Sequence, residues 1–190
     1  MFYYTELKRQ RVLQRLSEVE LASRARISRL TLRSIESGAG NPTWDSIDAY
    51  AKELGFKAEL VLVPEQTDIQ GEDSIVGVSL LVAQMGFDTW PVYLMNFTDA
   101  YRRTGDVRLI TLGPVSETPK NLVALFASTV LCLCDELGTD VPSWAKREYF
   151  LDEPWFPSDT ESLKAMALLE SPVFFKKNNI FVLENFLKRA

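Results

Sequence analysis

Histidine is absent from this chain of 190 residues. Because histidine is the most common general base near neutral pH and the most common zinc ligand, its absence excludes every Ser-His-Asp arrangement. The sequence also contains no Gly-rich phosphate-binding loop. Its adjacent carboxylate pairs, Asp135 with Glu136 and Asp152 with Glu153, do not converge as a catalytic dyad requires. We therefore expect a protein that is not an enzyme and needs no metal or cofactor.

Cysteine and long apolar runs are also scarce. The two cysteines, Cys132 and Cys134, lie in LVALFASTVLCLCDELG, which has the composition of a buried helix. Residues two apart point to different faces of a helix, so the sequence predicts core thiols rather than a metal pair. No run is long enough to span a bilayer, and MFYYTELKRQ does not resemble a signal peptide. These features favour a cytoplasmic protein without a membrane partner.

Basic charge is scarce as well, but it is unevenly distributed. The formal net charge is −5. Residues 1–40 hold eight Lys and Arg against four Asp and Glu, whereas residues 41–190 hold thirteen against twenty-two. A basic segment on an acidic chain is typical of a nucleic-acid-binding head joined to a different module.

The stretch from Ser17 to Gly38 combines two helix-start signals with a helical apolar period. Ser17 and Glu20 have the spacing of a capping box, and Ser28 is a second N-cap. The residues predicted to face inward are Leu21, Ala22, Ile27, Leu32 and Ile35. The second helix then presents Arg29, Leu30, Arg33 and Ser34 outward. This pattern predicts a helix-turn-helix whose second helix can lie in a DNA major groove.

Residues 7–55 resemble the phage-repressor (XRE-type) helix-turn-helix family. The matching features are a first helix with Arg11, SEVELA at residues 17–22, Ser28, IESG at 35–38, Asn41-Pro42-Thr43 and AKELG at 51–55. The resemblance implies a transcription regulator that binds double-stranded DNA. It also implies that Arg11 pairs with Glu36 to fix one helix against another; a phosphate contact is the alternative.

Two positions depart from that family. Glu18 stands where the family often has a glutamine that contacts phosphate, and a carboxylate would repel the DNA backbone. Arg26 replaces the usual glycine of the turn. Arg26 must therefore adopt a positive φ, which is uncommon for a residue other than glycine, or the turn must differ.

The candidate DNA contacts follow from the recognition helix and its surroundings. Arg29 is predicted to bind a guanine through two hydrogen bonds; a solvated cation at the helix start is the alternative. Leu30 can touch a thymine methyl, and Arg33 and Ser34 a base edge or a phosphate. Thr31 is ambiguous because its hydroxyl can bond within its own helix. The full predicted set is Ser28, Arg29, Leu30, Thr31, Arg33, Ser34, Arg15, Ser17 and Asn41; the Asn41 loop is alternatively a purely structural turn.

Residues 56–63, FKAELVLV, have the pattern of a β-strand. A lone strand needs a partner. Some members of the family dimerise through such a strand, and a homodimer would hold two recognition helices roughly 34 Å apart. Pairing within the chain, with residues 107–112, is the alternative. We thus predict a DNA-binding domain at residues 1–63 and a linker at 64–74.

Residues 75–190 are expected to form a helical partner-binding domain. Helices are predicted at residues 75–85, 91–103, 118–137, 143–151, 158–169 and 181–189. The expected fold class is therefore mainly α: a five-helix helix-turn-helix domain, a short β-strand and a mostly helical C-terminal domain.

DEPWF at residues 152–156 and ESPVFFKKNNIFVL at 170–183 resemble the C-terminal half of helix-turn-helix antitoxins paired with nucleotidyltransferase-like toxins. The resemblance implies an antitoxin that represses its own operon and binds its toxin. The candidate partner-binding residues are Trp155, Phe156, Phe174, Phe175, Lys176 and Lys177, whose alternative role is a core edge beside a solvated basic pair. Two other functions stay open: a repressor whose C-terminal domain senses a small ligand or only dimerises, and an enzyme with a DNA-targeting head.

Overall fold

The computed structural model describes residues 3–60, 73–158 and 160–188, with the side chains of the first stretch described from residue 6. The chain divides into two compact units, residues 1–60 and 61–190. The described residues are mainly helical and contain no β-strand. The predicted helical class is therefore confirmed.

The described part of the first unit has four helices rather than the five expected. They are α1 (Tyr3–Leu13), α2 (Glu18–Arg24), α3 (Arg29–Ser37) and α4 (Trp44–Glu53). The last three begin after Ser17, Ser28 and Thr43, whose hydroxyl groups each accept a backbone N–H of the first turn. The capping box at Ser17 and Glu20 is present, as predicted.

The core of the first unit forms where the apolar faces of its helices meet. Its buried side chains are Leu21, Ala22, Leu32, Ile35, Tyr50 and Leu54. Leu7, Leu16, Ile27 and Ile47 are partly buried against them. All five residues predicted to face inward in the helix-turn-helix thus contribute to this core.

The predicted strand at residues 56–63 is not observed. Residues 56–60 lie in neither a helix nor a strand, and residues 61–63 are outside the described residues. The alternative partner within the chain, residues 107–112, is wrong because α7 (Arg108–Thr111) occupies it. The backbone N–H of Arg108 donates to Asp106 Oδ1 (2.9 Å), which starts this helical turn. Of the predicted linker, residues 64–72 are outside the described residues, and Ser74 is a buried N-cap.

The second unit contains six described α-helices. They are α5 (Ile75–Met85), α6 (Trp90–Thr104), α7, α8 (Lys120–Leu137), α9 (Glu161–Glu170) and α10 (Val173–Lys176), with a short 3-10 helix at Phe87–Thr89. Ten residues of α8 are buried, as its apolar sequence predicts. Cys134 is buried and Cys132 half-buried on this helix, and burial raises the pKa of Cys132.

The helices predicted at residues 143–151 and 181–189 are wrong. Both regions contain turns instead, because their backbone groups bond to distant segments. The N–H of Leu151 donates to the carbonyl of Asn178 (3.2 Å), and the N–H of Phe181 donates to the carbonyl of Trp155 (2.9 Å). A helix over residues 143–151 would have to use the N–H of Leu151 internally. Within residues 181–188 the N–H groups of Phe186 and Lys188 donate to the carbonyls of Leu183 and Asn185, three residues back, which forms turns rather than an α-helix.

Two features are absent from the described residues. No described helix has the length and apolar character that crossing a membrane requires. The described residues also contain no cluster of three or more Cys, Asp or Glu side chains arranged to hold a metal ion.

Candidate nucleic-acid interface

Helix α3 has a buried face and an exposed face. Leu32, Ile35 and Glu36 are buried. Leu30 is 79% exposed, and the side chains of Arg29 and Arg33 are 56% and 60% exposed. Positions one turn apart on a helix are neighbours, so Arg29 and Arg33 lie on the same side. The exposed face thus carries two cations and one large apolar side chain.

The hydroxyl groups at the start of α3 are engaged in capping. Ser28 Oγ accepts the backbone N–H of Thr31 (3.0 Å), and the two side-chain hydroxyls are 2.8 Å apart. The hydroxyl of Thr31 thus makes a local bond to the N-cap. Ser17 is engaged in a similar way, because its hydroxyl donates to Glu20 Oε2 (2.8 Å) and accepts the N–H of Glu20 (3.2 Å).

Ser34 connects α3 to the loop that follows it. Its hydroxyl donates to the carbonyl of Ala39. Gly40 has φ +88, and a Cβ built there would lie 2.6 Å from Ser34 Oγ. Only glycine lets the loop pass this close without displacing the hydroxyl. Ser34 therefore holds the loop that leads to Asn41, whose own side chain is exposed.

Both turns that flank α2 contain an arginine with positive φ. Arg26 has φ 55 and Arg15 has φ 56. The first alternative predicted for Arg26 is therefore confirmed. The carbonyl of Ser23 accepts the N–H of Arg26 (3.3 Å), and the carbonyl of Ala22 accepts the N–H of Ile27 (3.0 Å). The turn therefore keeps its hydrogen bonds without glycine. Both arginines are exposed.

Glu18 contacts both arginines of the exposed face of α3. Its Oε2 accepts a hydrogen bond from Arg33 Nε (2.8 Å) and lies 4.0 Å from Arg29 Nη2. From the sequence we identified Glu18 only as a departure that would repel phosphate. Its ion pairs with α3 were missed, since they join residues eleven and fifteen positions apart in different helices.

A buried ion pair lies behind the exposed face. Arg11 Nε and Nη2 donate to the two oxygens of Glu36, at 2.6 and 3.0 Å. Arg11 Nη1 donates to the carbonyl of Leu16 (2.9 Å), and the hydroxyl of Tyr50 donates to Glu36 Oε1 (2.8 Å). The predicted structural pairing of Arg11 and Glu36 is confirmed, and it leaves Arg11 buried rather than available to phosphate. The role of Tyr50 was not predicted.

These contacts shift the pKa values of the buried groups. Burial opposes ionisation of Glu36, but the hydrogen bonds from Arg11 and Tyr50 outweigh it and hold the pKa of Glu36 below its ordinary value. Burial and the neighbouring carboxylate raise the pKa of Tyr50. Glu36 is therefore charged and Tyr50 neutral at pH 7, as their hydrogen bond requires.

In the second unit, the predicted partner-binding residues do not form an exposed aromatic patch. Phe175 is 1% exposed and belongs to the core, so its proposed exposure is wrong. Trp155 packs against Trp90 with ring centroids 6.1 Å apart. Phe156 stacks on Phe181 at 5.2 Å. The half-buried aromatics, which include Phe174, form a core edge, while Lys176 and Lys177 are exposed.

The comparison with protein families agrees with the geometry of the first unit. Residues 7–61 match a family model described as Helix-turn-helix. The match spans α1 to α4, less than a third of the chain, and indicates a DNA-binding transcription regulator. Neither the comparison with curated proteins nor that with solved structures found a match.

Replacing Glu36 with glutamine should destabilise the first unit at pH 7. The substitution leaves the Arg11 guanidinium buried without its counter-charge, which costs about 3–5 kcal/mol for a buried pair. Hydrogen exchange of peptides from residues 3–54 in the full chain measures the loss. Tyr50→Phe is the matched control; it removes one hydrogen bond to the carboxylate and should cost about 2 kcal/mol. Equal stability of Glu36→Gln and the wild type would contradict a stabilising pair.

The same pair should make the first unit sensitive to acid. A carboxyl group whose pKa is lowered on folding stabilises the folded state above its unfolded pKa and loses that contribution as the pH falls through the folded value. The wild type should therefore lose stability below about pH 4.5, the ordinary pKa of this group. Urea titrations at pH 7 and pH 3.5 measure the free energy of unfolding. Between these two pH values it should decrease less for Glu36→Gln than for the wild type.

Proposed function

We propose that this chain is a sequence-specific transcriptional repressor that reads DNA with α3. One observation carries the proposal: α3 is held by its inner face, while Arg29, Leu30 and Arg33 face outward together. In helix-turn-helix proteins the N-terminal residues of the second helix contact base edges in the major groove. An exposed leucine between two arginines would be unfavourable in water and suits contact with a base.

The proposal gives each exposed residue a contact. Arg29, in the first turn of α3, donates two hydrogen bonds to a guanine. Leu30 contacts a thymine methyl, and Arg33 reaches a base edge or a phosphate one turn further on. Arg15 and Asn41 contact the DNA backbone from the exposed turns beside the helices. Ser17, Ser28, Thr31 and Ser34 support these contacts mainly through the caps and the loop that their hydroxyls already hold.

For the second unit we propose protein binding rather than catalysis, with the chain acting as an antitoxin that represses its own operon. The resemblance of DEPWF and ESPVFFKKNNIFVL to such antitoxins supports this proposal. Exposed apolar side chains also support it: Leu169 is 82% exposed, and Leu168 and Val173 are exposed nearby in sequence. Lys176 Nζ donates to the carbonyl of Leu169 (3.0 Å), which brings a cation to these residues.

A cavity favours the alternative of a repressor that senses a small ligand. The second unit has an open cleft of about 330 Å³ between α6, α9 and the chain around Phe156 and Phe181. Ligand sites of about 300 Å³ or more are common. Lys164 and Asn185 are the strongest polar groups of its lining. A ligand there would release DNA without any protein partner, which distinguishes it from the antitoxin proposal.

We also propose a homodimer that pairs residues 56–63 of two chains. Two-fold symmetry would present two copies of α3 to successive major grooves. The apolar sequence of this segment supports pairing, and Leu60 is 75% exposed. A contact with a second chain would cover this side chain.

Arg29→Ala should weaken binding to the selected operator far more than binding to unrelated DNA. Loss of a bidentate base contact costs roughly 1–3 kcal/mol at one base pair. Arg15→Ala, the matched control in the same unit, should weaken both and reduce the salt slope by about one. Gel shifts on an operator selected from random DNA provide the measurement. Equal losses of Arg29→Ala on both DNAs would rule out base reading by this residue.

Deleting residues 56–63 should convert the dimer to a monomer, because it removes the backbone groups that pair the two chains. Light scattering after size exclusion gives the mass. Deletion of residues 65–72, of equal length, is the control and should leave the dimer intact. A dimer that persists without residues 56–63 places the interface elsewhere.

The antitoxin proposal predicts a complex with the product of the neighbouring gene. Co-expression of the two proteins should yield one peak in size exclusion and relieve growth inhibition by the neighbour. Leu169→Asp should disrupt the complex, whereas Val92→Asp, at another exposed apolar position of the second unit, should not. Separate elution of the two wild-type proteins would argue against an antitoxin.

A further inference from the structure

The strongest unassigned feature is the carboxylate that Glu18 places beside α3. Its Oε2 is 2.8 Å from Arg33 Nε and 4.0 Å from Arg29 Nη2. The Glu18 side chain is 31% exposed, which is about half the exposure of either arginine. One carboxylate oxygen thus lies within ion-pair distance of both cations on the face proposed to bind DNA.

The geometry of the Arg33 contact leaves its outer edge available. A guanidinium has five N–H groups, and the hydrogen bond to Glu18 uses only the one on Nε. The edge formed by Nη1 and Nη2 can donate two parallel hydrogen bonds to a guanine or a phosphate. Glu18 therefore restrains the Arg33 side chain without occupying that edge.

The charge of Glu18 has the opposite effect on phosphate binding. Two cations beside one carboxylate retain a net charge of one, so the local attraction to the DNA backbone is reduced. Sequence-independent binding depends almost wholly on this attraction. A base edge is much less affected, because it offers directed donors and acceptors rather than a full negative charge.

We propose that Glu18 is a specificity-determining residue, which positions Arg33 for a base and restrains both arginines from indiscriminate contact with phosphate. This inference rests on the proposed function of α3. Glu18 is a positioning residue here, since it acts through the arginines and itself contacts no base.

Glu18→Gln separates charge from geometry. The glutamine carbonyl can still accept the Arg33 N–H, but its charge is gone. We expect binding to unrelated DNA to tighten about tenfold, with a salt slope more negative by about one, as for one added phosphate contact. Operator binding should tighten less, so the ratio of operator to non-specific affinity falls, by up to about tenfold where operator binding is unchanged. Glu18→Ala also removes the restraint and should weaken operator binding.

Glu53→Gln is the matched control, because it removes the same charge from an exposed position at the end of α4, away from both arginines in sequence. Fluorescence anisotropy over a range of salt concentrations measures each variant on both DNAs, and thermal melting confirms equal folding. A change in Glu18→Gln that Glu53→Gln does not share supports the inference. Identical behaviour of the two variants overturns it.

The outcome with the wild type separates the two proposals. Failure to enrich any sequence from random DNA would overturn the proposed function, and the role of Glu18 with it. Specific binding by the wild type together with an unchanged affinity ratio in Glu18→Gln would overturn only the role of Glu18.

Discussion

The orientation of α3 depends on a buried carboxylate. Glu36 receives three hydrogen bonds, two from Arg11 on α1 and one from Tyr50 on α4. An ionised group in this position must keep these donors, since leaving it unpaired costs several kcal/mol. Successive residues of a helix are about 100° apart, so even a small rotation of α3 would break this arrangement. The buried charge therefore determines which residues α3 exposes.

Given that orientation, polar side chains of the first unit fall into two groups. Hydroxyl groups hold backbone: Ser17 and Ser28 cap helices, and Ser34 holds the loop at Ala39. The guanidinium groups of Arg29 and Arg33 lie at the surface, where Arg33 donates to Glu18, whereas that of Arg11 is buried against Glu36. The exposed face thus consists of side chains that the fold does not need. Substitutions there should therefore leave the core of the first unit intact.

Sequence reasoning succeeded where the determining signal is local. The N-caps at Ser17 and Ser28 depend on residues three positions away. The positive φ of Arg26 was one of two alternatives, and both came from the family resemblance. The Arg11–Glu36 pair was predicted from the family resemblance rather than from spacing. Tyr50 and Glu18 were missed as partners, because helical periodicity specifies a face but not the atom that it meets on another helix.

In the second unit, too, the sequence did not predict which distant segments contact each other. DEPWF and ESPVFFKKNNIFVL suggested a partner-binding surface, yet Asn178 and Asn179 join these segments to each other and to α8. Asn178 Nδ2 donates to Ser128 Oγ (2.9 Å), and Asn179, with φ 59, donates from Nδ2 to the carbonyl of Leu151 (2.9 Å). Several residues of these two segments therefore stabilise the fold of the second unit. A protein partner would have to contact the residues that remain exposed in and beside these segments, such as Val173, Lys176 and Leu169.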